Sequence, residues 1–176
     1  MNIGRKIVIL GCPGSGKSTL ARRLHERTGL PVHHLDNLWW KADRTHISRD
    51  EFDRELQRLI HGNEWIIDGD YSRTYEMRIA ACDAVILLDY GEAVCMAGIN
   101  ERIGRERPDM PWVEERPDPE LAALVRHYRR DKVPVISGLM DKYPEKAFVI
   151  LKTRTQAERW LSQIQNKGER HEADEL

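Results

Sequence analysis

Apolar residues along this chain fall into two kinds of run. Short, continuous runs stop at glycine or aspartate: Ile7-Val8-Ile9-Leu10 before Gly11, Trp65-Ile66-Ile67 before Asp68-Gly69, and Ala84-Val85-Ile86-Leu87-Leu88 before Asp89. Such runs predict strands buried on both faces. Pro31–Leu35 and Phe148-Val149-Ile150-Leu151 bring the set to five. Between the strands the apolar positions recur with a helical period. Leu20, Ala21 and Leu24 mark a helix from Lys17 to about Thr28, with Gly29 as its stop. Ser48 and Glu51 form a capping box for a helix to about Ile60, with Phe52, Leu56, Leu59 and Ile60 on one side. Helical patterns follow at about 92–104, 119–131, 134–142 and 155–165. Short apolar strands alternating with helices predict right-handed crossovers and a parallel sheet.

The rhythm breaks at Arg105–Pro119, where Pro108, Pro111, Pro117 and Pro119 stand among charges. That composition predicts a long surface loop or lid, about 102–119. The expected organisation is one domain over residues 1–166 and a polar, fraying tail over 167–176. A chain of 176 residues has room for one such domain and not for two catalytic ones.

Charge is balanced, with 28 basic and 29 acidic residues and a formal net charge of −1. No basic stripe stands out, so neither nucleic acid nor an acidic membrane is an expected direct partner. No apolar run reaches the roughly 18 residues of a membrane span, and the start does not read as a secretory signal. Cys12, Cys82 and Cys95 form no CxxC. The expectation is a reduced, cytoplasmic protein without a disulfide frame or zinc site, monomeric or homodimeric.

The first strand runs into Gly11-Cys12-Pro13-Gly14-Ser15-Gly16-Lys17-Ser18, which fits GxxxxGK[ST] and is followed by a helix. This is the context a P-loop requires. Glycines let the backbone curl so that successive N–H groups face phosphate oxygens, and the helix N-terminus adds partial positive charge. Gly11, Pro13, Gly14, Ser15, Gly16, Lys17, Ser18 and Thr19 are the expected nucleotide contacts. Lys17 addresses the β- and γ-phosphates, Ser18 ligates Mg²⁺, and Thr19 lies on the α-phosphate side. ATP is expected over GTP, since no NKxD-like base-reading segment follows. Asp68 and Asp89 both end strands, and either could support the magnesium.

On the acceptor side, Asp36 closes strand two, where ligands of open parallel sheets sit. It could take the acceptor's proton, bind a hydroxyl, position Mg²⁺, or cap the next turn. His33 and His34 point to opposite faces of a regular strand and cannot share one metal. Of Trp39 and Trp40, at least one is expected in the core. Arg73 could fork onto a phosphate or form a surface ion pair. Arg102, Arg105 and Arg107 straddle a helix end and the proline-rich loop. A closing loop could bring them onto the transferring phosphoryl group, or they could belong to a solvated charged surface with Glu101, Glu106 and Asp109. Arg126, Arg129 and Arg130 read as a solvated helix face.

The P-loop, then Pro31-Val32-His33-His34-Leu35-Asp36-Asn37-Leu38-Trp39-Trp40, Trp65-Ile66-Ile67-Asp68-Gly69-Asp70-Tyr71-Ser72-Arg73-Thr74 and Arg107-Pro108-Asp109-Met110 together resemble the bacterial DNA topology modulation proteins related to FlaR. These are adenylate-kinase-like P-loop proteins, and the resemblance covers roughly residues 5–165. It implies the three-layer α/β/α fold of nucleoside monophosphate and shikimate kinases: a five-stranded parallel sheet in order 2-3-1-4-5, with a lid. In that order strand three adjoins strand one, which makes Asp68 the magnesium-side carboxylate and leaves Asp89 further away. Similarity to the DGFPRT segment of adenylate kinases implies Arg73 as a phosphate contact. Small kinases of this type place an adenine-side contact after strand five, which implies Arg154. The implied activity is Mg²⁺·ATP-dependent phosphotransfer to a nucleotide, nucleoside or other small hydroxyl acceptor. The alternatives are a regulatory nucleotide-binding protein affecting DNA topology or gene expression, and a slow ATPase without an acceptor.

Overall fold

The computed structural model describes residues 3–164; the tail expected at 167–176 lies outside them. The elements run in order β1 (Lys6–Gly11), α1 (Lys17–Thr28), β2 (Val32–His34), α2 (Leu35–Trp39), α3 (Arg49–Ile60), β3 (Trp65–Asp68), a 3₁₀ turn (Ser72–Thr74), α4 (Tyr75–Ala81), β4 (Ala84–Leu88), α5 (Glu92–Asn100), α6 (Pro119–Asp131), α7 (Val133–Lys142), β5 (Ala147–Leu151) and α8 (Arg154–Ser162). All strands pair in parallel, in the order β2-β3-β1-β4-β5. The five parallel strands are those expected from the apolar runs, and their order is the one that the family resemblance implied.

Alternation along the central strands divides the core into two layers. Ile7 and Ile9 of β1, with Ile66, Ala84 and Ile86, face α1, α5, α6 and α8. Val8 and Leu10, with Ile67, Val85 and Leu87, face α3, α4 and α7. The strands with continuous apolar runs are thus the ones covered on both faces.

Local chemistry sets several boundaries. The Ser48 side chain accepts from Glu51 N at 3.1 Å and caps α3. Asp118 caps α6, with Pro119 in its first turn. Gly29 closes α1 in the left-handed region, φ 74°. Three expectations need correction. Strand two ends at His34, and Leu35 opens a one-turn helix. The helix expected to 104 stops at Asn100, because Gly104 takes φ 74° and its N–H turns to Glu114 O at 2.8 Å. Finally, the expected set of helices lacks α4, over Tyr75–Ala81.

One close approach holds α5 on the loop that follows β1. A Cβ on Gly98 would lie 2.0 Å from the Gly14 carbonyl oxygen, and one on Gly14 would lie 2.1 Å from the Cys95 carbonyl oxygen. Helix propensity alone favours alanine over glycine by about 1 kcal/mol. A backbone clash that moves a packed helix outweighs that gain. Gly98→Ala is therefore expected to destabilise the protein by about 1–3 kcal/mol, as read by urea unfolding; a stabilised variant would contradict the packing.

Candidate active site

The C-terminal ends of β1, β2 and β3 open into a cleft of about 850 Å³. One wall is the loop between β1 and α1. Gly14 and Gly16 adopt φ 81° and 93°, and Ser15 N donates to Cys12 O at 3.1 Å, so the backbone curls as a phosphate cradle requires. Lys17 Nζ donates to Gly11 O at 2.7 Å and to Cys12 O at 3.1 Å, across the mouth of the curl. Ser15 Oγ is buried and has no hydrogen-bond partner, and a Cβ on Gly16 would meet nothing within 4 Å. An orphaned hydroxyl beside an open ring of amides fits an anionic oxygen. Cys12 is a buried thiol whose ionisation is pushed up by its bond with the Cys95 thiol, then by burial.

Most of the expected site residues line this cleft: Pro13 to Thr19, Asp36, Asp68, Arg102, Arg105, Arg107 and Arg154. Gly11 lies behind it and offers its carbonyl to Lys17. Asp89 does not line the cleft and is bound by Arg129, Nε to Oδ1 at 3.0 Å. Arg129 stays exposed, as on the solvated helix face expected, and pairs with Asp89 at its tip. Adjacency to β1 does not separate Asp68 from Asp89, because β4 flanks β1 just as β3 does. What separates them is that Asp68 faces the cleft. Arg73 is outside it: its guanidinium forks onto Asp53 at 2.6 and 2.8 Å on the surface.

The cation in the segment after β3 that reaches the interior is Arg78, which is fully buried. Its Nη1 donates to Gly69 O at 3.0 Å, Nη2 to Tyr71 O at 3.4 Å and Nε to Thr74 Oγ1 at 3.1 Å. Arg78 therefore shapes residues 69–74 from behind and leaves no guanidinium facing the cleft there. The sequence carries a signal for it: Tyr75, Arg78, Ile79 and Cys82 fall at i, i+3, i+4 and i+7, so the arginine sits on the apolar stripe of α4.

The opposite wall is acidic and aromatic. Asp36 Oδ1 accepts from Tyr71 OH at 2.8 Å. Burial pushes the Asp36 carboxyl above its usual range, only partly offset by the Tyr71 bond and the Lys17 charge. Asp70 Oδ1 accepts from Tyr75 OH and from Tyr128 OH, the latter at 2.9 Å. Trp40 lines the cleft edge-to-face with Trp112, centroids 5.1 Å apart. Trp39 turns to the core, stacked on His46 and edge-on to Phe52. The cation of this wall is Lys132, whose Nζ donates to Ser72 Oγ at 2.7 Å.

Between the walls, His34 Nδ1 and Asp68 Oδ1 lie 2.7 Å apart. Burial pulls the His34 imidazole down, but the Asp68 bond and the charges of Asp68 and Asp109 outweigh it and raise its ionisation. The segment 101–118 arches over the cradle and places Asp109 on it: Ser18 Oγ donates to Asp109 Oδ2 at 2.9 Å. Burial pushes the Asp109 carboxyl up, but the Arg107 charge and the Ser18 bond outweigh it and hold it below the usual range. Burial, then the neighbouring Arg107, lowers the ionisation of Arg102. Sequence reasoning named the arginines of this segment and treated Asp109 only as their neighbour. Among the described residues no three His, Cys, Asp or Glu side chains are grouped to hold a metal ion alone. A cation here would need the Ser18 hydroxyl and phosphate oxygens as well. Among the described residues no helix is long and apolar enough to cross a membrane.

Comparison with known proteins agrees with this geometry. The adenylate kinase of Thermotoga neapolitana is 28% identical over 94 residues, which cover 52% of this chain and 42% of that protein. The match thus spans less than half the length of that relative. Among solved structures, the shikimate kinase from Acinetobacter baumannii in complex with shikimate aligns with a TM-score of 0.60 at 15% identity, covering 92% of this chain and 90% of that one. The shikimate kinase from Bacteroides thetaiotaomicron gives 0.54 at 16%, covering 97% and 98%. The gluconokinase from Sinorhizobium meliloti 1021 gives 0.52 at 16%, covering 93% and 94%. At such identities these structures establish a shared kinase-like P-loop fold. The family profile described as AAA domain matches residues 7–108, more than half of the chain, which include the cradle, β2 to β4 and Asp36, and the protein belongs to that family.

Proposed function

We propose that the protein is a Mg²⁺·ATP-dependent phosphotransferase that passes the γ-phosphoryl group to a small, uncharged hydroxyl compound. The observation that supports this reading best is a phosphate cradle and a half-buried carboxylate, Asp36, lining one cleft. Bound Mg²⁺·ATP would supply the transferable phosphoryl group and neutralise its charge. Lys17 exchanges its Gly11 and Cys12 carbonyls for phosphate oxygens, while Ser18 and Asp68 serve the metal. Arg73 has no part in this reading. The segment 101–118 acts as the lid: Arg102, Arg105 and Arg107 meet the equatorial oxygens and exclude water. Arg154 lines the adenine side. Asp36 orients the acceptor hydroxyl and takes its proton on Oδ2, its Oδ1 being occupied by Tyr71.

The charge of the acceptor wall narrows the class. Asp36 and Asp70 present carboxylates, Arg78 is tied to the backbone, Arg73 is outside, and Lys132 is bonded to Ser72. An anionic acceptor would meet two carboxylates with Lys132 as the cation of this wall and no guanidinium fork to grip it, whereas a neutral polyol or nucleoside finds carboxylate acceptors and aromatic faces. The narrower kinship with the DNA topology modulation proteins, and action in the cytoplasm, belong to the same proposal. The kinship rests on the His34-Leu35-Asp36, Trp65–Thr74 and Arg107–Met110 segments, and the location on three sparse cysteines without a CxxC.

A panel of nucleosides, sugars, nucleoside monophosphates and hydroxy acids, with labelled ATP, tests the reading. Acceptor-dependent ADP release is expected with neutral compounds and not with monophosphates. ADP release independent of every acceptor, with ATP bound normally, would leave a slow ATPase instead. Duplex DNA binding that weakens steeply with salt would favour the regulatory alternative.

A further inference from the structure

Ser18 has one hydroxyl proton, and where that proton points decides which lone pairs face a cation. The strand-end carboxylate Asp68 is the residue that chain order offers for the task. Yet Asp68 Oδ1 is joined to His34 at 2.7 Å, and the Ser18 proton goes to Asp109 Oδ2 at 2.9 Å, from a residue 91 positions further along. Asp109 is 5% exposed. It is held from two sides: Arg107 Nη1 lies 3.4 Å from the same Oδ2, and Asn37 Nδ2 donates to the Pro108 carbonyl at 2.7 Å. Arg107 Nη2 faces Glu114 Oε2 in turn at 3.4 Å, an ion pair without a hydrogen bond. An exposed loop with a stray carboxylate would show none of this bracing.

We infer that Asp109 is a positioning residue of the magnesium site: it fixes the Ser18 hydroxyl with its lone pairs toward the cation and adds the negative charge that divalent binding favours. The metal site is then complete only when segment 101–118 is docked. Metal binding and docking are linked, so each strengthens the other. Arg107 arrives with Asp109, which ties the placing of a cationic side chain to the presence of the metal. This inference rests on the nucleotide-binding reading above. The competing arrangement is a latch, in which Asp109 blocks Ser18 and must leave before a cation enters. The two arrangements predict opposite signs.

The test is the affinity of the full chain for Mn²⁺, a spectroscopic stand-in for Mg²⁺, at saturating ADP, followed by electron paramagnetic resonance. Affinity for ADP without metal is measured alongside by calorimetry. Asp109→Ala is expected to weaken Mn²⁺ binding about 10- to 100-fold. Asp109→Asn keeps an acceptor oxygen for Ser18 and loses only the charge, so it should fall between the variant and the parent. Metal-free ADP affinity should stay within about twofold, because the cradle amides and Lys17 are untouched. Asn37→Ala loosens the segment without altering Asp109 and should weaken Mn²⁺ binding in the same direction. It serves if the Asp109 variants do not fold. Unchanged or tighter Mn²⁺ binding in these variants overturns the inference, tighter binding in favour of the latch. A parent protein with no metal-dependent ADP binding overturns the nucleotide reading itself, before any variant is compared.

Discussion

Asp36→Asn is expected to lower phosphotransfer by about 10²- to 10⁴-fold while making the protein more stable at neutral pH by about 0.5–2 kcal/mol. Both effects have one cause. Burial raises the Asp36 carboxyl above its usual 3.8, so the folded protein holds the charged form at a disadvantage. Asparagine keeps the shape and can still accept from Tyr71 OH through Oδ1. It removes the charge, and with it the site proposed to take the acceptor's proton. The pH dependence has a definite sign. The folded state binds the Asp36 proton more tightly than the unfolded chain, so this group's contribution to stability falls as pH rises from the unfolded value of 3.8 through the raised folded value. The advantage of the variant is therefore full above the folded value and fades as pH drops below 3.8, where both states of the parent are protonated. Urea unfolding of both proteins from acid to neutral pH, beside single-turnover phosphotransfer, measures the two effects together. An active variant would remove Asp36 from the chemistry. A variant less stable at neutral pH would mean that its charge is stabilised by contacts the cleft does not show.

Local sequence carried the sheet because the information there is local. The continuous apolar runs of β1, β3 and β4 require cover on both faces, Ser48 and Asp118 announce their helices, and the cradle is one uninterrupted octapeptide. The site is less local. Arg73 and Arg78 stand five positions apart in one polar segment. Which of them turns inward depends on the pitch of α4, where Arg78 and not Arg73 falls in register with Tyr75, Ile79 and Cys82. Gly98 reads as a poor residue for a helix until Gly14 is brought against it. Asp109 looks like one charge among many in a proline-rich stretch. Its meaning comes from Ser18, and only the docking of 101–118 brings the two together. Asp68 was separable from Asp89 only by which of them faces the cleft, since both end strands beside β1.

Arg78→Ala is expected to cost about 3–5 kcal/mol of stability, a large share of the roughly 5–15 kcal/mol that holds a domain folded. A buried cation is unfavourable unless its donors are met, and here three acceptors meet it: Gly69 O, Tyr71 O and Thr74 Oγ1. The Tyr75 ring adds its face, with the guanidinium carbon 5.5 Å from the centroid. Burial lowers the ionisation of Arg78, yet a guanidinium stays charged at any working pH. Truncation takes the guanidinium from the Gly69 carbonyl, leaves Tyr71 O only its bonds from Thr74, and opens a cavity as well. Arg78→Lys keeps the charge but cannot reach three acceptors from one ammonium, and should fall between the two. The functional consequence is directional. Arg78 holds residues 69–74, which carry Asp70, Tyr71 and Ser72 on the acceptor wall, and it touches nothing in the cradle. Arg78→Lys, where folded, should therefore raise the KM for the acceptor several-fold and leave ATP affinity nearly unchanged. Denaturant unfolding gives the first quantity and initial rates at varied acceptor and ATP give the second. Equal losses for both substrates would show that the two walls of the cleft are mechanically one unit, and that Arg78 supports the fold without favouring either side.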